Sequence, residues 1–160
     1  MGFIVCTGIF VALVAWGMLS DLASMTIPDA VSIGLIAGFL LCAWLAGAPL
    51  ITVGKHLGVG AIVFGIGAAL FFGGGDVKML AAVAVWAGWP MVITLAVWVA
   101  LFGGLLAVGM LVFRRIPLPA GAADLAWLAR LHRRDAGIPY GIAIGMGALL
   151  LLPRITWWQN

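Results

Sequence analysis

The chain has 160 residues, of which 66% are apolar and 8% charged, with a mean hydropathy of +1.28 and a formal net charge of +3. Soluble domains carry about 25% charged residues, so this composition excludes a cytosolic enzyme, a disordered chain and a nucleic-acid-binding domain. It predicts an all-α polytopic membrane protein in which residues 1–160 form one membrane domain.

Six apolar segments are candidate membrane spans, since about 20 apolar residues in a helix cross the hydrocarbon layer. They cover residues 2–20, 30–47, 56–72, 77–89, 91–113 and 139–153. The fourth and fifth segments are separated at Gly88-Trp89-Pro90, where proline favours a turn. The first segment has no basic stretch before it and is interpreted as a span, not as a signal peptide.

The basic residues predict how these spans are oriented. With Lys78, the loop over residues 114–138 gives its face of the membrane six basic residues, against two on the other face. Because cytoplasmic loops carry the basic excess, this face, which also carries Asp21 and Asp76, is predicted to be cytoplasmic, with both termini outside. Leucines at helical spacing and clustered arginines in the loop indicate a short amphipathic helix on the inner leaflet.

The two cysteines, Cys6 and Cys42, lie inside apolar segments, 36 residues apart. This is not a metal-ligand spacing, and two cysteines do not form the disulfide framework of a small secreted domain. Both are predicted to be unpaired and to pack as small apolar side chains against lipid or the core. The sequence predicts no metal site and no cofactor.

Any carboxylate chemistry must come from five aspartates, because the chain has no glutamate. Asp76 follows Gly73-Gly74-Gly75, and these glycines let another extended backbone come close to its carboxylate. The alternative, purely structural interpretation is that Asp76 caps the apolar helix that begins after it. Asp21 ends the first span, where the helix dipole disfavours negative charge. Ionisable groups at a membrane are functional candidates, whereas Asp29, which follows Pro28 at the start of a span, is predicted to cap a helix.

Two aspartates that converge from different spans can act as an acid–base pair, since neighbouring carboxyl groups that share a proton titrate apart. Such a pair hydrolyses an amide by direct attack of water. The competing candidates are weaker, because His56 is predicted on the opposite face, His132 lies in the basic loop, and neither has a serine partner. Hydrolysis by an aspartyl pair is what these residues permit.

Three short stretches carry a family resemblance: Asp21 followed six positions later by Ile27-Pro28, then Gly73-Gly-Gly75-Asp76-Val77-Lys78, then Ile138-Pro139-Tyr140-Gly141. In this order they resemble the motifs of the type IV prepilin peptidases, whose second motif is GxGD. The resemblance implies that Asp21 and Asp76 are the catalytic pair on the cytoplasmic side of a bacterial inner membrane. Gly73, Gly75 and Lys78 are predicted to contact the substrate.

The implied reaction is removal of the short basic leader from prepilins and pseudopilins. Long members of the family carry an additional domain with paired CxxC motifs that methylates the new N-terminus. This chain resembles the short branch that serves tight-adherence (Flp-type) pili, and no methyltransferase activity is expected. It departs from the family pattern in lacking basic residues between Asp21 and Ile27, in Asp29 replacing an asparagine and in Ile142 replacing a proline.

Two alternative functions remain open. Presenilin-like intramembrane proteases also use GxGD, but they pair it with a Tyr-Asp motif, whereas Ser20 precedes Asp21 here. A proton-coupled transporter would use Asp21 and Asp76 as an ion relay near the middle of the bilayer. The expected partners are the lipid bilayer and the pilin precursors, with no nucleic acid.

Overall fold

A computed structural model describes residues 2–70, 74–119, 121 and 124–155. Its helices are α1 (Gly2–Ser24), α2 (Asp29–Leu45), α3 (Leu50–Leu70), α4 (Gly74–Phe113), α5 (Ala126–His132) and α6 (Tyr140–Leu151), followed by a 3₁₀ turn at Leu152–Arg154. The described ranges contain no strand. The predicted all-α class is confirmed.

Three helices are long and apolar enough to cross a membrane: Ile4–Ser24 within α1, then α3 and α4. The helix α2 and the segment Tyr140–Arg154 are apolar but shorter. Large apolar side chains lie on the outside of the bundle, among them Trp44 and Leu50, which are 76% and 88% exposed. A soluble protein rarely exposes such an extensive apolar surface, whereas lipid accepts it, so the chain is a membrane protein.

The helix α4 is broken at Gly88, where φ is 64° and ψ is −177°. This left-handed φ suits glycine, which has no Cβ to clash with the backbone. Nearby, His56 Nδ1 lies 2.7 Å from the Val85 carbonyl oxygen, within hydrogen-bonding distance. The break falls two residues before Pro90, as predicted, and divides α4 into a first arm (74–87) and a second arm (89–113).

Contacts on either side of the break indicate that the chain reverses there. Gly75, in the first arm, lies beside Ile27. Gly103, in the second arm, lies against Tyr140, and the adjacent Gly141 also abuts Ile27. A straight helix would separate residues 75 and 103 by about 42 Å, at 1.5 Å per residue. The two arms therefore run in opposite directions, and residues near 27, 75, 103 and 141 lie at one end of the bundle.

The opposite end of the bundle carries a disulfide between Cys6 and Cys42, whose Cα atoms are 5.8 Å apart. Both residues are buried, as expected, but the prediction that they are unpaired is wrong. The antiparallel packing of α1 on α2 brings the beginning of one helix to the end of the other. Sequence spacing alone does not reveal that proximity.

Aromatic packing fixes the first arm of α4 against α1 and α2. The Trp86 ring is fully buried, and its Nε1–H donates a hydrogen bond of 2.8 Å to the Leu35 carbonyl. The ring centroids of Phe10 and Phe39 lie 4.9 Å and 6.1 Å from that of Trp86. Such aromatic contacts stabilise beyond the area they bury. They hold the arm whose other end carries Asp76.

Candidate active site

Asp21 lies in the last turn of α1 and is only 5% exposed. Its Oδ2 atom accepts a hydrogen bond of 2.7 Å from the backbone N–H of Gly141, the second residue of α6. The first N–H groups of a helix have no partner within the helix, so the carboxyl group satisfies one of them. A Cβ at Gly141 would lie 2.9 Å from that same Oδ2, which explains why the close approach needs glycine.

Asp76 is the third residue of α4 and is half-buried. The preceding Gly75 packs on the extended stretch that links α1 to α2, since a Cβ there would lie 3.6 Å from the backbone N and O of Ile27. The chain leaves α1 through Met25, which adopts a left-handed φ of 57°. That conformation is uncommon outside glycine, and it redirects the chain toward the start of α4.

Asp21 and Asp76 line one cavity of about 440 Å³. Its other walls come from the link between α1 and α2, the start of α4 and the segment before α6: Met25, Thr26, Ile27, Asp29, Gly74, Gly75, Lys78, Gly137 and Ile138. Four of the five predicted site residues therefore lie together, whereas Gly73 falls outside the described residues. In the described part of the chain, no group of three or more His, Cys, Asp or Glu side chains is placed to hold a metal ion.

An ion pair that sequence reasoning missed borders this cavity. Lys78 Nζ lies 2.8 Å from Asp29 Oδ1, and the two side chains are 42% and 64% exposed. Asp29 is the first residue of α2, and Pro28 occupies the cap position, so the prediction that Asp29 caps the helix is wrong. No local pattern signals a pair separated by 49 positions.

Arg114 connects the end of α4 to the segment that forms one wall of the cavity. Its Nε–H donates to the Leu131 carbonyl at 2.9 Å, and its Nη2 donates to the carbonyls of Ala136 and Gly137 at 2.9 Å and 2.7 Å. Gly137 itself lines the cavity. A guanidinium group suits this task because its donors are held in a rigid plane.

The short helix α5 lies in the basic loop where an amphipathic helix was predicted. Arg130, in its last turn, donates a hydrogen bond of 2.8 Å to the Ala23 carbonyl at the end of α1. Beyond the helix, Arg133 pairs with Asp135, and this hydrogen-bonded partner lowers the pKa of the Asp135 carboxyl. The loop is thus fastened to the end of the bundle that carries the cavity.

The sequence profile of the type IV leader peptidase family matches residues 8–108 of the chain. Taken with the helical membrane fold, this match defines the class of the protein as a membrane peptidase. The match covers more than half of the chain, including Asp21 and Asp76, and the chain belongs to the type IV leader peptidase family. Comparison with curated proteins and with solved structures gives no match.

Proposed function

We propose that this protein is an aspartic endopeptidase that removes the short cytoplasmic leader from Flp-type prepilins and pseudopilins. The observation that carries the proposal is the shared cavity of Asp21 and Asp76, which come from different helices. Membership of the type IV leader peptidase family supports prepilins in general as the substrate class. The paired CxxC motifs of the methylating members have no counterpart among two cysteines, so we propose leader removal without methylation.

The proposed reaction is direct attack of water on the peptide bond. One carboxylate takes a proton from the water while the oxygen of that water bonds to the scissile carbonyl carbon. The other carboxyl group donates a proton to the carbonyl oxygen. As the tetrahedral intermediate breaks down and the C–N bond cleaves, the carboxyl group that took the proton from water gives it to the departing nitrogen. The other carboxylate regains a proton from a hydroxyl group of the intermediate, so both groups return to their starting states. The hydrogen bond from Gly141 holds the Asp21 carboxyl group in one orientation for these steps.

The glycines before Asp76 give the substrate backbone room to reach the two carboxyl groups. Gly74 has open space where a Cβ would lie, and Gly75 contacts only the Ile27 stretch at ordinary distances. At Gly74 the cavity wall therefore carries no side chain that an extended peptide would have to avoid. We assign the same role to Gly73 on the basis of its position in the sequence.

The proposed orientation places this cavity on the cytoplasmic side of the bacterial inner membrane and both termini outside. Arg114 and Arg130 of the arginine-rich loop lie at the end of the bundle that carries the cavity, in agreement with the positive-inside rule. The disulfide lies at the other end, and disulfides persist in oxidising compartments such as the periplasm. These two independent signs support one orientation.

Co-expression with epitope-tagged Flp-type precursors tests the proposal. Immunoblots would compare the unmodified chain with Asp21→Asn and Asp76→Asn, which keep the size of each side chain while removing its acid–base function. Asp124→Asn, in the exposed loop, is the matched control. We expect both cavity variants to accumulate full-length precursor and the control to process it normally. Normal processing by either cavity variant would overturn the proposal. If a parallel measurement of ion flux showed that these variants lose flux but still process the precursor, the transporter alternative would be supported instead.

A further inference from the structure

A second concavity, of about 370 Å³, lies between α2, α3 and the first arm of α4. Its lining is apolar except at one end, and it includes Ile33, Ile36, Ala61, Phe64, Ala81 and Val85. Ile33 and Phe64 are 65% and 45% exposed, so this groove opens on the surface of the bundle. Small residues on its floor let another helix approach the backbones closely.

Ser32 gives this apolar groove a polar feature. The residue is 6% exposed and lines the groove, and its Oγ atom has no hydrogen-bond partner within the described part of the chain. A buried polar group without a partner costs about 1–3 kcal/mol. Such a group in a groove wall points to a ligand that supplies the missing hydrogen bond.

The groove is continuous with the candidate active site, because Asp29 and Lys78 line both concavities. A substrate whose scissile bond lies between Asp21 and Asp76 would therefore pass this ion pair and continue along the groove. Ser32 lies one turn of α2 beyond Asp29, where the cavity gives way to the groove. This arrangement suits a chain that changes from an extended peptide to an apolar helix at that point.

We propose that the groove binds the first turns of the substrate's transmembrane helix, with Ser32 at its N-terminal end; this inference rests on the proposed function. The first four N–H groups of a helix have no partner within the helix, and in lipid they find no water. The Ser32 oxygen, which lines the groove one helical turn beyond Asp29, supplies an acceptor there. A lipid acyl chain has no polar group for Ser32, so the groove favours a peptide occupant.

Photo-crosslinking tests this inference independently of catalysis. A benzoylphenylalanine at position 64 would report on the groove, and one at position 93 would report on an exposed site of the second α4 arm (Ile93, 72% exposed). Both would be placed in the Asp76→Asn variant, co-expressed with a tagged Flp-type precursor. We expect a crosslinked precursor from position 64 and at least about tenfold less from position 93. Equal yields, or crosslinks to lipid alone, would overturn the inference.

Cleavage kinetics provide the second test. Ala61→Phe fills the groove, whereas Ala100→Phe adds the same bulk to an exposed alanine of the second arm. We expect the first variant to raise KM for the precursor about tenfold, which is the effect of about 1.4 kcal/mol of lost binding, and the control to stay within about twofold. Unchanged KM in Ala61→Phe with Asp21-dependent cleavage intact would refute the groove and leave the proposed function standing.

The role of Ser32 itself has a matched control in the same chain. The Oγ1 atom of Thr7 is likewise buried and unpartnered among the described residues. Thr7 lies near the beginning of α1, whereas the candidate active site lies at the end of that helix. We expect Ser32→Ala to raise KM about three- to tenfold, the loss of one hydrogen bond, and Thr7→Val to leave it unchanged. Equal effects of the two variants on KM would show that the Ser32 hydroxyl has no special contact with the substrate.

Discussion

The backbone N–H of Gly141 donates a hydrogen bond to Asp21 Oδ2 across 120 positions of sequence. This contact makes the last helix, α6, part of the candidate active site, although the family match ends at residue 108. The third stretch of the family resemblance, Ile138 to Gly141, therefore has a physical role. It supplies the N–H group that fixes one of the two carboxyl groups.

Replacing Gly141 with alanine is expected to lower cleavage at least tenfold. The new Cβ would lie 2.9 Å from both Asp21 Oδ2 and Ile27 Cδ1, so the carboxyl group must move. Displacing a catalytic group by about 1 Å costs up to about 100-fold in rate. Gly104→Ala is the control, because a Cβ at that position has open space around it. Initial rates of precursor cleavage measure the effect, and equal rates in the two variants would contradict it.

Arg114→Ala is expected to loosen the wall of the cavity that contains Gly137. Three backbone carbonyls lose their shared donor, and hydrogen bonds to charged groups contribute about 1.5–3 kcal/mol each where water does not replace them. We expect faster trypsin cleavage within residues 114–138 and roughly tenfold slower precursor processing. Arg115→Ala controls for the loss of one positive charge. Trypsin cleavage at the rate of the unmodified chain would argue against this anchoring role.

Lys78→Met separates a structural role of this lysine from contact with the substrate. Exposed ion pairs contribute about 0–1 kcal/mol, so loss of the half-exposed pair with Asp29 should leave the melting temperature nearly unchanged. If Lys78 contacts the precursor, cleavage falls several-fold while stability stays. Lys55→Met, on the exposed side of α3, is the control. Cleavage at the normal rate by Lys78→Met would dismiss substrate contact.

The disulfide should be detectable and should contribute to stability. The two cysteines are 36 positions apart, and closing a loop of that size stabilises by roughly 3–4 kcal/mol in the chain-entropy model. Denatured protein should react with a maleimide–polyethylene glycol reagent only after reduction, with a gel shift of two adducts. A Cys6→Ser, Cys42→Ser chain is the control. Labelling without reductant would show that the bond does not form in the cell.

Composition was sufficient to predict the fold class, because a chain with so few charges has to place its surface in lipid. The break in α4 was also predictable, since Gly88 and Pro90 both disfavour a continuous helix. The limits of α3 were not predicted correctly. The helix begins at Leu50, six residues before residue 56, where the predicted span begins. It accommodates His56 because that ring has a hydrogen-bonding partner in the Val85 carbonyl.

The side-chain contacts at the site were harder to predict than the elements. Apolar helices of this kind have no polar face, so their sequence does not tell which side turns inward. The disulfide, the Lys78–Asp29 pair and the Gly141 hydrogen bond all depend on that rotation and on how distant helices pack. Asp21 and Asp76 could be predicted as site residues because ionisable groups at a membrane are functional candidates, and the structure shows that they line one cavity.

The most direct test of the account is the cleavage rate of purified protein in liposomes, measured for Asp21→Asn, Asp76→Asn and the double variant. If the two carboxyl groups act as one acid–base unit, each single change removes nearly all activity, by about 1,000-fold or more, and the double change costs little beyond that. Mass spectrometry of the released leader quantifies the rate. Retention of a tenth or more of the rate by either single variant would contradict the account.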